Sequence, residues 1–194
     1  ADRHLVPPLL EKLYQLEKNE IIELVQWSDL LVFDYLTANL DRMLNNMINE
    51  RWNPQMMQSP AHNLLRHQQS NLLLFLDNES GIMHGYRLKK YQQLHRSLLD
   101  SICVFRRTTI DRLRHFNGMD EHTLDKAIRS EYKRYMLGEP FAPLGNVLSP
   151  KNFATLRRRI GEVLRQVDKC RRQFASSQWE YDDEDDDVEN EEKR

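Results

Sequence analysis

From about Glu20 the apolar positions recur at helical spacing: Ile21, Ile22, Leu24 and Val25, then Leu30, Leu31, Phe33 and Leu36. Ser28 is a natural N-cap for the second stretch, which then runs to about Ala38. That helix delivers Asn39 and Asp41 to its C-terminal exit. Upstream, Pro7-Pro8 opens a short helix with Leu9, Leu10, Leu13 and Leu16 apolar. Residues 42–51 continue as a short helix. Residues 52–70 hold Pro54 and Pro60 and show no period, so they read as a loop. Residues 71–76 are a short apolar run that fits a buried strand, although periodicity alone does not separate it from helix. Gly81 and Gly85 mark a turn-rich segment. Helical spacing then returns. Residues 89–104 put Tyr91, Leu94, Leu98, Leu99, Ile102 and Cys103 on one face. Residues 107–116 end at Gly118, and 120–136 carry Leu124, Ile128, Tyr132 and Tyr135. Residues 137–149, with Pro140, Pro143 and Gly145, form a loop. Ser149-Pro150 starts a last helix whose stripe is Phe153, Leu156, Ile160, Val163, Leu164, Val167, Cys170 and Phe174.

Composition adds bounds. A chain of 194 residues, 40% hydrophobic and 30% charged, suits one soluble, globular domain. Six glycines and seven prolines favour helix over a turn-rich sandwich. The net charge of −2 hides an asymmetry: the run WEYDDEDDDVENEEKR, 179–194, is strongly acidic and the remainder is net positive. The tail has too little apolar surface to bury and reads as disordered. The positive body suits acidic or phosphate-bearing substrates, but its charge is too diffuse for nucleic acid, and no stacking aromatics accompany it. The cluster Arg157-Arg158-Arg159 with Lys169, Arg171 and Arg172 lies mostly off the last helix's stripe and reads as a solvated face. Met43, Met47, Met56 and Met57 read as filler or loop contacts. No apolar run approaches the roughly 18 residues a bilayer span needs. No signal peptide is visible, and a chain beginning with Ala fits a processed or partial sequence. Cys103 and Cys170 make no zinc site by themselves; they are two buried thiols or one bridge.

The candidate chemistry lies in two carboxylates. Asp41 follows the helix ending near Ala38, and Asp77 ends the apolar run 71–76. In metal-assisted phosphoryl transfer one such Asp faces the attacking hydroxyl and the other holds the metal bridging the phosphates. Glycosidases and phosphatases also use paired carboxylates. Asp34, set among apolar neighbours, reads as a structural group needing hydrogen-bond donors. Asp29 reads as a surface charge. His62, His67 and His84 form no recognised ligand set. Asn78-Glu79-Ser80 matches a glycosylation acceptor but adjoins Asp77, where a glycan would block a metal site, so the match reads as accidental. A phosphate-cradling glycine loop and a Val-Ala-Ile-Lys-like strand are both absent, and 40 residues before Asp41 leave no room for a complete two-lobed kinase.

Residues 27–42, WSDLLVFDYLTANLDR, and 72–86, LLLFLDNESGIMHGY, resemble the four-jointed family of Golgi secretory-pathway kinases, relatives of the secreted casein-type kinases. The resemblance runs from roughly His4 to Arg172 and includes Lys18-Asn19-Glu20 and 101–105. It implies a mainly α fold: the helical C-terminal lobe of a protein-kinase-like domain, residues 1–176, with a short β pair carrying the metal Asp and no N-lobe. The acidic tail, 177–194, lies beyond it. It also implies that Asp41 is catalytic and orients a substrate Ser or Thr, and that Asp77 holds Mg²⁺ or Mn²⁺ on ATP. Asn39, Arg42 and Asn78 would be supporting residues. A Cys103–Cys170 disulfide is implied, in keeping with an oxidising compartment. The implied partners are cadherin-repeat ectodomains, Fat and Dachsous, whose phosphorylation tunes planar cell polarity and growth. The implied location is the Golgi lumen, as a type II membrane protein whose anchor is not in this chain, or the secreted space. Three departures accompany the resemblance. The N-lobe, with its ATP-gripping Lys and the Glu partner, is missing, as is the anchor. The 36-residue interval from Asp41 to Asp77 implies an inserted loop over 52–70. Alone, the lobe should bind ATP poorly. The alternative is a catalytically inactive pseudokinase or helical binding module in the Golgi or extracellular space.

Overall fold

The computed structural model describes residues 16–58, 61–79, 81–82, 85–135, 148–174 and 180–181. The chain is mainly helical, with one small antiparallel strand pair. α1 (Lys18–Thr37) opens with a capping box in which the Glu20 side chain accepts from the Glu17 N–H at 2.9 Å. It does not break at Ser28. That residue is buried inside one continuous helix, so the expected N-cap is a core-facing serine instead. No Gly or Pro interrupts 18–37, so nothing forces a break there. The helix ends at Ala38 in the left-handed region (φ 54°), and the Asn39 N–H reaches back to the Asp34 carbonyl at 3.0 Å, closing a Schellman-type turn.

α2 (Met43–Asn49) follows, then a 3₁₀ turn at Met56–Gln58. The segment 52–70, expected as loop, contains β1 (Leu64–Arg66). It pairs antiparallel with β2 (Leu73–Phe75) in the register Leu64↔Phe75, Leu65↔Leu74, Arg66↔Leu73. Because that hairpin lies at the surface, the apolar run is not a buried strand: Leu73 and Phe75 turn partly inward while Leu72, Leu74 and Leu76 stay 40–50% exposed. Two 3₁₀ turns, Gly85–Arg87 and Lys89–Tyr91, lead into α3 (Gln92–Asp100), which is shorter than its predicted span. β3 (Phe105–Arg106), α4 (Arg107–Asn117) and α5 (Glu121–Tyr135) come next. α6 (Pro150–Gln173) begins as expected, with Ser149 as N-cap and proline in its first turn. β4 (Glu180–Tyr181) pairs parallel with β3. The rest of the acidic tail, the first predicted helix and most of the 137–149 loop lie outside the described residues.

α6 runs through the centre of the fold. Ile160, Val163, Val167 and Cys170 pack with Val32 and Tyr35 of α1, Leu99 of α3, Phe105, Ile110 and Leu113 of β3–α4, and Leu124 of α5. Each core side chain of this size stabilises the fold by about 1.5–3 kcal/mol. A Cys103–Cys170 disulfide ties the segment after α3 to α6. Two charged residues depart from expectation. Asp29 is only partly exposed. It accepts hydrogen bonds from Arg106 at 2.6 Å and Thr109 at 2.9 Å, which join α1 to β3–α4. Arg159 is buried, although Arg158, Lys169, Arg171 and Arg172 are exposed as a solvated face requires. Among the described residues no helix is long and apolar enough to cross a membrane.

Candidate functional site

The C-terminal exit of α1 is held by α6, by Ile82, Gly85 and Tyr86, and by α3. From α6, Arg159 donates to the Tyr35 carbonyl and lies over the rings of Tyr35 (4.9 Å) and Tyr86 (5.4 Å). A cation there meets the negative end of the helix dipole. Tyr86 donates its hydroxyl to the Leu36 carbonyl at 2.6 Å, and the Ile82 N–H bonds the Thr37 carbonyl. Gly85 packs against the exit so closely that a Cβ there would stand 2.1 Å from the Ala38 carbonyl oxygen. From α3, buried His95 places Nε2 3.0 Å from the Asn39 carbonyl, which fixes that nitrogen as the protonated one of a neutral ring. Burial, with Arg159 adding to it, holds His95 down to about 4, so the ring is neutral at physiological pH. These contacts satisfy the helix's last carbonyls and leave the loop after Ala38 a single path.

On that path Asn39 is buried. Its Oδ1 accepts from the Asp41 N–H at 3.0 Å, and the Asp41 carbonyl accepts from Asn63 Nδ2 at 2.9 Å. Held through its backbone, Asp41 presents an exposed side chain. Arg42 turns the other way and is completely buried. Its guanidinium forms an ion pair with Asp34 and donates to the Leu76 carbonyl (3.1 Å), the Asn63 carbonyl (3.5 Å) and Asn78 Oδ1. The rings of Phe33 and Phe75 flank it at 5.9 and 5.8 Å. Burial pushes the Asp34 carboxyl up to about 6 while Arg42 pulls it down, so the pair is ionised at neutral pH.

Leu76 and Asn78 are the two neighbours of Asp77. The guanidinium that follows Asp41 in sequence therefore grips both residues flanking the second aspartate. Asp77 is exposed with φ 49°, a left-handed conformation Asp tolerates better than most residues. The fold thus brings Asn39, Asp41, Arg42, Asp77 and Asn78 to one place, and sets Cys103 and Cys170 apart in the core. Both ends of the Asn78 amide are used, since Nδ2 also donates to the Phe75 carbonyl at 2.9 Å. A glycan on that nitrogen would disturb the grip.

Among the described residues no group of three or more His, Cys, Asp or Glu could hold a metal alone. Magnesium-like ions take one or two carboxylates and complete their shell with water and substrate phosphates, and the exposed carboxylates of Asp41 and Asp77 are donors of that type.

The sequence pattern did not single out His95, Arg159, Asn63 or Tyr86. Two of these carried a signal. Arg159 stands three residues after Leu156 and four before Val163, and His95 four after Tyr91 and four before Leu99, so helical spacing puts both on buried faces. Asn63 and Tyr86 lie in irregular segments without periodicity.

The profile of the four-jointed box protein middle domain matches residues 1–173. The extracellular serine/threonine protein kinase four-jointed of Drosophila melanogaster is 50% identical over 151 residues, 77% of this chain and 25% of that protein. Four-jointed box protein 1 of Xiphophorus maculatus is 36% identical over 156 residues, 80% of this chain and 35% of that one. The Homo sapiens protein of the same name is 35% identical over 165 residues, 84% of this chain and 36% of that one. The chain thus spans about a quarter to a third of the length of these relatives. No solved structure matches it.

Proposed function

The chain belongs to the four-jointed box family, and on that premise we propose that it is the helical, kinase-like C-terminal lobe of a secretory-pathway protein kinase that transfers the ATP γ-phosphate to Ser or Thr. The observation that carries the reading is the Arg42 grip, which ties the position of Asp41 to that of Asp77. The printed name of the Drosophila relative supports it.

In this reading Asp41 takes the proton of the substrate hydroxyl as its oxygen bonds to the γ-phosphorus and the bond to the ADP oxygen breaks. Asp77 would hold Mg²⁺ or Mn²⁺, which would supply positive charge to the phosphates of ATP. Arg42, Asn39 and Asn78 hold the two aspartates in place, and the constraints on the α1 exit pre-organise the loop. The proposed substrates are cadherin-repeat ectodomains of the Fat and Dachsous type, acted on in the Golgi lumen or outside the cell. A non-catalytic binding module is the second reading, favoured by the vertebrate relatives, whose names mention no kinase.

Transfer from ATP with Mn²⁺ to a cadherin repeat, followed by intact mass in the full-length protein and its Asp41→Asn variant, tests the reading. Loss of roughly 10²-fold or more with unchanged thermal unfolding is expected, because the side chain removed is exposed. Equal signal from both proteins refutes a catalytic Asp41.

A further inference from the structure

The positive body has a shape that the proposed chemistry does not use. A groove of about 500 Å³ runs between the 3₁₀ turns 85–91 and the first turns of α6. It is lined by Tyr86, Arg87, Lys89, Lys151, Asn152 and Thr155, with no Asp or Glu among the described lining residues. A second groove of about 590 Å³ shares Lys89 and adds Lys90 and Arg96, but Glu162 lines it too. Lys89 belongs to both, and the first groove, lined by Arg87, Lys89 and Lys151, is the basic trough. Arg87, Lys89, Lys90 and Lys151 are all exposed. Other exposed arginines of this fold meet a carboxylate, as in Arg66–Glu23, Arg134–Glu131 and Arg158–Glu162. No described carboxylate pairs with Arg87, Lys89, Lys90 or Lys151. The side chains of Ser149 and Asn152 are spent on the α6 cap, so the attraction comes from the cations themselves.

The trough adjoins the α1 exit. Tyr86, on its wall, bonds the Leu36 carbonyl, and Gly85 beside it touches Ala38, three residues before Asp41. Arg87, Lys89 and Lys151 line the trough with no carboxylate among its described residues, and an anionic ligand is favoured by that net positive charge. The trough is open, and its cations come from two elements, the 3₁₀ turns and α6, which suits a chain carrying several carboxylates better than a single small anion.

We propose that this trough binds an acidic polypeptide segment of the protein substrate, so that acceptor Ser or Thr residues flanked by Asp and Glu are preferred. The proposal rests on the kinase reading for the word substrate, but the binding itself does not. Arg87, Lys89 and Lys151 act as specificity determinants through long-range and rim electrostatics.

The test uses the full-length protein and its R87E/K89E/K151E variant. The probe is a fluorescent peptide of about twelve residues with one Ser among Glu and Asp, beside a version with Gln and Asn. Anisotropy is expected to show preference for the acidic peptide, falling about tenfold in the variant and weakening with salt. Competent transfer should show the same loss of preference while activity on the neutral peptide is kept. Equal binding of both peptides by the wild type overturns the proposal, as does an unchanged preference in a variant whose circular dichroism matches the wild type. If the acidic peptide binds only after residues 182–194 are deleted, the occupant is the chain's own tail and the substrate assignment falls. Acidic binding without transfer to any peptide overturns the kinase reading and leaves an acidic-partner site.

Discussion

Replacing Arg42 by Met tests the centre of the site most directly. Met preserves length and apolar packing between Phe33 and Phe75 but leaves the buried Asp34 carboxylate without its cation. Breaking a buried pair by removing one partner costs about 3–5 kcal/mol, a large part of the roughly 5–15 kcal/mol that holds a domain folded. The cost should depend on pH, with a sign the structure fixes. Asp34 has a folded value of about 6, raised above its unfolded 3.8, so the native protein binds its proton first as pH falls. Without Arg42 the carboxyl moves higher still and is neutral at both about pH 7.5 and about pH 5. In the wild type it is mostly neutral at about pH 5, as in the variant, and ionises above about 6, where Arg42 makes the charged form the favoured one. Asp34 therefore lowers wild-type stability as pH rises, but by less than it lowers that of the variant. About 1.5 pH units at 1.36 kcal/mol each means that about 2 kcal/mol of the cost disappears on acidification. His95 titrates in the same region with the opposite sign, because its folded value is lowered, but it is common to both proteins and cancels in the difference. Urea unfolding followed by circular dichroism at the two pH values gives both numbers. The double variant Asp34→Asn with Arg42→Met should lose the pH dependence. A cost under about 1 kcal/mol, or one that grows at about pH 5, would refute the reasoning.

Gly85→Ala places a methyl 2.1 Å from the backbone oxygen of Ala38, and backbone cannot swing aside like a side-chain tip. A loss of about 2 kcal/mol or more by urea unfolding, with reduced transfer, is expected; a neutral variant would show that the turn can part from the α1 exit. The Cys103–Cys170 bridge closes a separation of 67 residues, so the paired Cys→Ser variant should lose about 4 kcal/mol. Both thiols reacting with an alkylating agent in the unreduced, denatured protein would show instead that no bridge forms.

Several parts of this protein were determined by local sequence. The α6 start follows from Ser149-Pro150, because an N-cap oxygen and a fixed φ act within one turn. The α6 core stripe follows from apolar spacing, because a helix face is set by residues three and four apart. Asp41 and Asp77 stood out because each follows an apolar element that positions it. Tertiary structure decided the rest. Ser28 looks like a cap until the fold buries it, and Asp29 looks free until β3–α4 delivers Arg106 and Thr109. Residues 71–76 look like a core strand, yet among the described residues β2 pairs with β1 alone, and Leu72, Leu74 and Leu76 stay toward solvent. Arg159 sits in a basic run; its spacing from Leu156 and Val163 puts it on the buried face, but only the crossing of α6 over the end of α1 decides that it meets the Tyr35 carbonyl. Arg42 is the clearest instance. Its partners are 8, 21, 34 and 36 residues away, and no local pattern announces a buried guanidinium. Local sequence determines which residues share a helix face or cap a turn, because those forces act over a few residues. Whether a charge is buried, and which distant carbonyl or carboxylate it meets, depends on which elements pack together, and only the folded chain settles that.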